Sequence, residues 1–469
     1  MVSSSGSPPS GQSVGPASAP ASVAGKSRPG PLLVLDGSYP SVGGGGAESQ
    51  VGTLGRWFNA HGYRCTLVTP MAPESPKLTY EVMDGLPVRR LRYPRVPLLG
   101  SLILQCRLAL TIWQERRRIS AVHAHIGQWM AVTCCLTGKV LGVPVFVKMT
   151  GATELRGGAL DPAAGFVARI KRRGLALATG YQAISGEIVR AIEAAGLPRE
   201  RILPIANAVD LTRFGLRHRD GDPVAGLTPD THVNTPPERA NQPSVDHPAP
   251  FDVTAPADGQ PTSSPLSARA VMRGVAGRAL RDRLCPGAEF VVLFSGRLEK
   301  IKRLDLLLQA WGDTLAHDKK AWLLLAGEGA ERAKLISQAQ ASGIADRVLM
   351  LGHVERIIDY IHAADVLALV SAHEGLSNSM LEGMAGGLPV LGSRISGTED
   401  FVSEGRTGWL FESGNLGALS RQLASARATP PDELVHMSRA AHDEIVARAS
   451  VQAVTTALLD AYRQPTRKR

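Results

Sequence analysis

A short apolar run that leads into a charged loop and a helix start constrains this chain more than any other feature. Val366 to Val370 is uninterruptedly apolar, and His373-Glu374-Gly375-Leu376-Ser377-Asn378-Ser379-Met380-Leu381-Glu382-Gly383-Met384-Ala385 follows. An apolar run without alternation reads as a strand buried on both faces, as in a parallel sheet. Ser377 or Asn378 can cap the next helix, whose buried side carries Met380, Leu381 and Met384. Glu374 therefore stands at the carboxyl end of a strand, and Glu382 a little over one turn into the helix. The free N–H groups at the helix start form an anion site between them. Open α/β sheets bind ligands in the crevice at their strand ends. Two carboxylates flanking a phosphate site suit a nucleotide-sugar, since one can accept hydroxyls from a hexose and the other both hydroxyls of a ribose. On spacing alone, a surface helix with ordinary acidic residues fits equally well.

The rest of the chain repeats the same alternation. Pro31 to Leu35 reads as a strand, then come Asp36-Gly37-Ser38-Tyr39-Pro40, four glycines from Gly43 to Gly46, and a helix with Val51, Leu54 and Phe58 on one face. Further strands are expected at Cys65 to Thr69 and near 121–124, 143–147 and 181–184, the pattern of a doubly wound domain. Residues 1–30 are rich in Ser, Pro, Gly and Ala without the apolar core of a signal peptide, and are expected to be a disordered leader. From His218 to Ser267 prolines recur and apolar periodicity vanishes, which reads as a flexible insert. The expected divisions are 31–212, a first Rossmann-like domain; 213–285, a linker holding the insert; 286–446, a second Rossmann-like domain; and 447–469, a terminal helix with Val451, Val454, Leu458 and Ala461 on one stripe.

The 469 residues suffice for two cores. The five cysteines form no C-x-x-C pair and no zinc spacing, which suits a reducing cytosol. No stretch reads as a membrane-spanning helix. A net charge of +10 favours an anionic partner. Nucleic acid ranks last among these, because no aromatic-basic motif accompanies the charge.

Other candidate groups also sit at strand ends. Arg297 and Lys302 follow the apolar run Phe290 to Ser295; an Arg there fits bidentate phosphate contact and a Lys adds a point charge, though a solvated basic loop reads as well. Gly45 and Gly46 let backbone N–H groups approach a phosphate or sugar, or simply make a turn. They do not belong to the G-x-G-x-x-G dinucleotide pattern, so no NAD is inferred. His123 and His125 end a strand and suit either hydroxyl binding or a structural role. Asp220-Gly221-Asp222 imitates a D-x-D metal motif but lies in the proline-rich insert, so no metal ligands are assigned.

The block from Phe294-Ser295-Gly296-Arg297-Leu298-Glu299-Lys300-Ile301-Lys302, through Leu323 to Gly329 and the two glutamates, to Gly405-Arg406-Thr407-Gly408-Trp409 resembles the donor site of the GT4 retaining glycosyltransferases. Gly45-Gly46-Ala47-Glu48 matches the family's N-terminal glycine loop. The resemblance implies a GT-B fold: two Rossmann-like doubly wound domains facing across a cleft, the first binding the acceptor and the second the nucleotide-sugar, with the C-terminal helix crossing back to the first. It implies that Arg297 and Lys302 hold a diphosphate, that Glu374 contacts the donor sugar and Glu382 the ribose, and that His125 lies beside the transferred sugar. Gly375, Leu376, Ser377 and Asn378 would complete the nucleotide site. The implied activity is metal-independent transfer of a hexose, with retention, from a UDP- or GDP-sugar to a glycan, lipid-linked or small hydroxyl acceptor, without a cofactor. A UDP-sugar epimerase on the same architecture and a catalytically silent nucleotide-sugar-binding protein are the alternatives. The chain departs from the pattern at Arg303 and Ala208, where glycine is common, at Gly383, where alanine is usual, and at Lys148-Met149-Thr150-Gly151, where many members carry His-Gly.

One surface adds a possible partner. Arg89, Arg90, Arg92, Arg95, Arg107, Arg116, Arg117 and Arg118 surround an apolar stretch from Val96 to Leu104, with Leu108, Leu110, Ile112 and Trp113 beyond it. This suits either the cytoplasmic face of an anionic membrane or a core helix with a solvated basic side.

Overall fold

The computed structural model describes residues 27–40, 46–71, 78–151, 154–155, 157–216 and 274–463. The insert His218 to Ser267, with Asp220 and Asp222, and the glycines Gly43 to Gly45 lie outside the described residues. The first sheet holds β1 (Arg28–Leu35), β2 (Tyr63–Pro70), β3 (Tyr80–Met83), β4 (Leu86–Leu91), β5 (Ile119–His125), β6 (Val145–Met149), β7 (Gly180–Ala183) and β8 (Ile202–Pro204). Their order is β3-β4-β2-β1-β5-β6-β7-β8. Every pairing is parallel except that of β3 with β4. The second sheet holds β9 (Phe290–Ser295), β10 (Ala321–Ala326), β11 (Val348–Gly352), β12 (Val366–Leu369), β13 (Val390–Ser393) and β14 (Gly408–Phe411). Its order is β11-β10-β9-β12-β13-β14, and it is parallel throughout. The chain thus has the two doubly wound domains of a GT-B fold.

Each sheet is covered on both faces, which is why its strands are apolar without alternation. In β1, Leu32 and Val34 join one core cluster while Leu33 and Leu35 join another. Helix Gly46–Ala60 covers the second face with Val51, Leu54 and Phe58, all fully buried. Burying a side chain of this kind contributes about 1.5–3 kcal/mol. The first strand begins at Arg28, inside the span expected to be leader. It starts early because Arg28 N–H bonds to Gly62 O at 2.9 Å, extending the pairing with β2.

The span 213–285, read as linker, ends in structure. Helix Gly274–Leu284 packs on helix Ile357–Ala363. Its Arg281 donates to Ala363 O at 2.9 Å and to the buried Asp365 carboxylate at 3.0 Å. This helix is therefore built into the second domain ahead of residue 286.

Helix Pro431–Arg448 packs on helix Asn378–Ala385 of the second domain. The chain then crosses back: Val209 N–H bonds to Ala449 O, and Val451 N–H to Val209 O, both at 2.8 Å. Helix Val451–Arg463 buries Val454, Leu458, Ala461 and Tyr462 against Leu33, Leu35 and Phe58 of the first domain.

Both sheets reverse their winding once. The first runs from β1 through β2 and β4 in one direction, then restarts at β5 on the other side of β1. The second runs from β9 to β11, then restarts at β12 on the other side of β9. The β1/β5 and β9/β12 gaps are the switch points at which such sheets form ligand crevices. The domains are in contact, because a single apolar cluster contains Val34 and Ile188 of the first and Leu376 and Met380 of the second. Asp400 adds a polar tie: its carboxylate accepts from Gly186 N–H at 2.8 Å, at the start of helix Gly186–Ala194. A carboxylate at that helix end is favoured by the helix dipole.

Candidate active site

The second switch point gathers most of the expected donor-site groups. Lys302 follows β9 and Glu374 follows β12. Lys302 Nζ donates to Glu374 Oε1 at 2.7 Å, and Ser371 Oγ donates to Glu374 Oε2 at 3.1 Å. Ser377 caps helix Asn378–Ala385, its Oγ accepting from Met380 N–H at 3.3 Å. Arg297 stands apart from this pair: it is largely exposed and bonds Glu299 at 2.7 Å. Arg303 adopts φ 51, the left-handed region, which accounts for the glycine common there and costs an L-residue roughly 1–2 kcal/mol. Gly383 is fixed by packing, since a Cβ there would meet Leu367 Cδ2 at 2.8 Å. The usual alanine is excluded unless Leu367 shifts.

Glu382 lies deeper, in a pocket shared with Gln50, Arg56 and Arg213. Burial pushes its carboxyl up to about 7, while the nearby Arg213 guanidinium pulls the other way. At neutral pH it is poised to ionise when hydroxyl donors arrive.

Asn378, expected at the nucleotide, lines the pocket that holds Glu382 and also bridges the domains. Its Oδ1 accepts from Asn207 Nδ2 at 2.8 Å and from Gln50 Nε2 at 3.4 Å, and its Nδ2 donates to Gly46 O at 3.2 Å. Gln50 also clasps the Ala208 backbone, donating to its O at 2.9 Å and accepting from its N–H at 2.7 Å. Gly46 thus opens the first helix directly against Asn378. Gly375 is a close-approach glycine: a Cβ would stand 2.5 Å from Thr150 O of the first domain. Leu376 is buried beside it.

At the first switch point His125 ends β5, fully buried, with neither ring nitrogen hydrogen-bonded. Burial, then the neighbouring His123 and Lys148, hold it well below the ordinary imidazole range, so it is neutral. His123 is a structural residue, sharing a 2.7 Å hydrogen bond with Tyr462 of the crossing helix. Burial lowers it to about 3.

The sequence reading assigned no role to two groups here. Lys148 pairs with His125 in register, and burial lowers its ammonium to about 7 with Nζ unpaired. Glu154, wholly buried, accepts from Gly127 N–H at 2.9 Å and Gly151 N–H at 3.2 Å, and Thr150 Oγ donates to it at 3.2 Å. Thr150 therefore helps to hold the β5 and β6 loops together. A glutamate five residues beyond a strand end carries no pattern of its own, so only the fold reveals this role.

The comparisons agree with this architecture. The family model described as glycosyl transferases group 1 matches residues 280–443, and the glycosyl transferase 4-like domain matches residues 45–208. The two matches together span most of the chain, and the chain belongs to the group 1 glycosyltransferases of GT-B fold. The N-acetyl-alpha-D-glucosaminyl L-malate synthase of Bacillus anthracis is 30% identical over 29% of this chain and 35% of its own length. The lipopolysaccharide core biosynthesis glycosyltransferase LpsE of Rhizobium meliloti is 29% identical over 36% of this chain and 48% of its own. The chain thus matches less than half the length of these relatives. Among solved structures, HepE of Anabaena in complex with UDP and glucose superposes with a TM-score of 0.63 at 17% identity, over 92% of this chain and 98% of that one. No helix among the described residues is long and apolar enough to cross a membrane.

Proposed function

We propose that this chain transfers a hexose, with retention and without a metal, from a UDP- or GDP-sugar to a hydroxyl acceptor. The observation that carries the reading is the Lys302–Glu374 pair beside a Ser377-capped helix start at the β9/β12 switch point. The bound UDP of the HepE structure supports a nucleotide-sugar donor. Lys302 and the N–H groups at the helix start hold the diphosphate. Arg297 joins them by leaving Glu299, an exposed pair worth at most about 1 kcal/mol. These charges stabilise the leaving diphosphate as negative charge develops on it. The acceptor oxygen bonds to the anomeric carbon as the bond from that carbon to the diphosphate oxygen breaks. The electron pair leaves with the diphosphate, which takes up the acceptor proton. Glu374 holds the sugar, neutral His125 accepts or donates a hydroxyl hydrogen bond beside it, and Glu382 takes the ribose hydroxyls. Domain closure through Asn378 limits hydrolysis by excluding water.

The acceptor reading includes a lipid. Helix Leu99–Glu115 buries Leu104, Leu108 and Ile112, yet leaves Leu99, Leu102, Leu110 and Trp113 exposed. Leu136 and Val140 of helix Trp129–Leu141 and Phe166 and Val167 of helix Phe166–Leu175 are exposed on the helices packed in succession beside it. Exposed arginines Arg107, Arg117 and Arg118 suit this apolar surface to an anionic bilayer that delivers a lipid-linked acceptor.

A thermal-shift panel of nucleotide-sugars tests the donor, since a ligand that binds the folded state raises its stability. UDP- or GDP-hexoses raise the midpoint, and turnover then requires a second substrate. Turnover of the UDP-sugar alone to its epimer indicates an epimerase. A panel without any shift contradicts the donor site.

A further inference from the structure

The β1/β5 crevice carries polar groups that the donor reading leaves unused. Asp36 follows β1 directly, and its carboxylate lies beside the Met130 backbone N–H at the start of helix Trp129–Leu141. The same carboxylate feels the charge of Lys171, from helix Phe166–Leu175. Lys171 Nζ donates to Gln128 Oε1 and lies 5.5 Å from the centroid of the Trp129 ring. Trp129 is 41% exposed, while Asp36, Gln128 and Lys171 are half-buried. Burial raises the Asp36 carboxyl above its ordinary range. Ile126, between His125 and this cluster, holds φ 76, which a β-branched residue adopts only where its surroundings impose it.

The chemistry of this cluster selects its ligand. An indole offers an apolar face with a polar edge, and it suits the C–H face of a sugar ring. A carboxylate, an amide and an ammonium together supply acceptors and donors for ring hydroxyls. An apolar chain would desolvate these polar groups without adding a hydrogen bond to any of them. The Asp36 carboxylate and the Lys171 ammonium offset each other, so the cluster offers no net charge that selects an anionic group.

We propose that Asp36, Gln128, Trp129 and Lys171 form the acceptor subsite and take a neutral hexose ring stacked on Trp129. The proposal rests on the glycosyltransferase reading above. It narrows the acceptor to one that presents a glycosyl residue at its accepting end.

The test uses the full chain with 4-nitrophenyl glucosides, galactosides and mannosides as probes, in ligand-observed saturation-transfer NMR. UDP is scored separately in the same tubes. The wild type transfers saturation to the sugar-ring protons of at least one glycoside. Trp129→Ala and Asp36→Asn weaken that binding at least about fivefold, while Trp129→Phe retains most of it. UDP binding is unchanged in all three variants, which also shows that they are folded. A wild type that binds none of the glycosides, or binding that survives both Trp129→Ala and Asp36→Asn, overturns the proposal. Glycoside binding by a wild type that ignores UDP upholds the subsite and overturns the donor reading instead.

Discussion

Lys302 and Glu374 meet across the second switch point, the ammonium of one donating at 2.7 Å to the carboxylate of the other, with each side chain less than a fifth exposed. The pair offsets these two charges before any donor binds. It also places a cation for the diphosphate beside a carboxylate for the sugar.

Replacing Glu374 with Gln separates these two roles. The amide keeps the shape but loses the charge that holds Lys302. Binding of free UDP stays within about threefold, because the diphosphate contact belongs to Lys302, while transfer falls by about 100-fold or more, the usual effect of losing a group at the reacting centre. Calorimetry with UDP and a transfer assay measure the two quantities. A variant that loses UDP binding but keeps its turnover number reverses the assignment.

Glu382 predicts a pH dependence. Its folded carboxyl, raised to about 7, lies above the ordinary value of 4.5, so the folded state binds more protons between them. The stability it contributes is therefore fullest below about pH 4.5 and is lost as pH rises through about 7. Glu382→Gln, measured by denaturant melts, gains on the wild type as pH rises across that window and flattens there. Ribose hydroxyls favour the ionised carboxylate, so wild-type UDP affinity rises between pH 6 and 8 and the Gln variant shows no such rise. Parallel pH profiles for both proteins contradict the role.

Arg303 tests the backbone of the phosphate loop. At φ 51 glycine carries no penalty. Arg303→Gly removes the strain but also the exposed pair of Arg303 Nε with Asp305 at 3.2 Å, worth at most about 1 kcal/mol. The expected net change is a gain of up to about 1 kcal/mol in a chemical melt, with donor affinity retained. A clear loss of stability shows that the Asp305 pair outweighs the strain.

The donor half was legible because strand ends and helix starts leave local marks: an apolar run, a capping Ser377, two glutamates. The structure joins Lys302 to Glu374, a pair those marks do not indicate, turns Arg297 toward Glu299 and sets Asn378 against Gly46, Gln50 and Asn207 of the other domain. Partners from the other domain leave no trace in the local sequence, so that role could not be read. Glu154 and Asp36 were equally silent, because each is defined by N–H groups that only the folded loops bring to it. The helix Gly274–Leu284 was masked by the composition of the insert before it. The terminal helix was readable, since its stripe of Val454, Leu458 and Ala461 has a 3.6-residue period.

The apolar face beside the first domain predicts membrane binding. Wild type sediments with anionic vesicles at low salt and is released at high salt, because each nearby cation contributes about 1 kcal/mol and is screened. Changing Arg116, Arg117 and Arg118 to Glu abolishes sedimentation. Equal recovery in the supernatant with and without vesicles removes the bilayer from the account.

The most direct test of the central claim is calorimetric titration of UDP and GDP into wild type and Lys302→Ala. Lys302 stands in the turn after β9, so its loss removes one charge-assisted phosphate contact and the pair with Glu374 without touching a core. Such a contact is worth about 1.5–3 kcal/mol, roughly 10- to 150-fold in affinity. The account predicts that at least one of the two diphosphates binds the wild type and weakens by that factor in the variant, with transfer slowed and thermal stability little changed. Unchanged affinity together with unchanged transfer would place the diphosphate elsewhere and contradict the site.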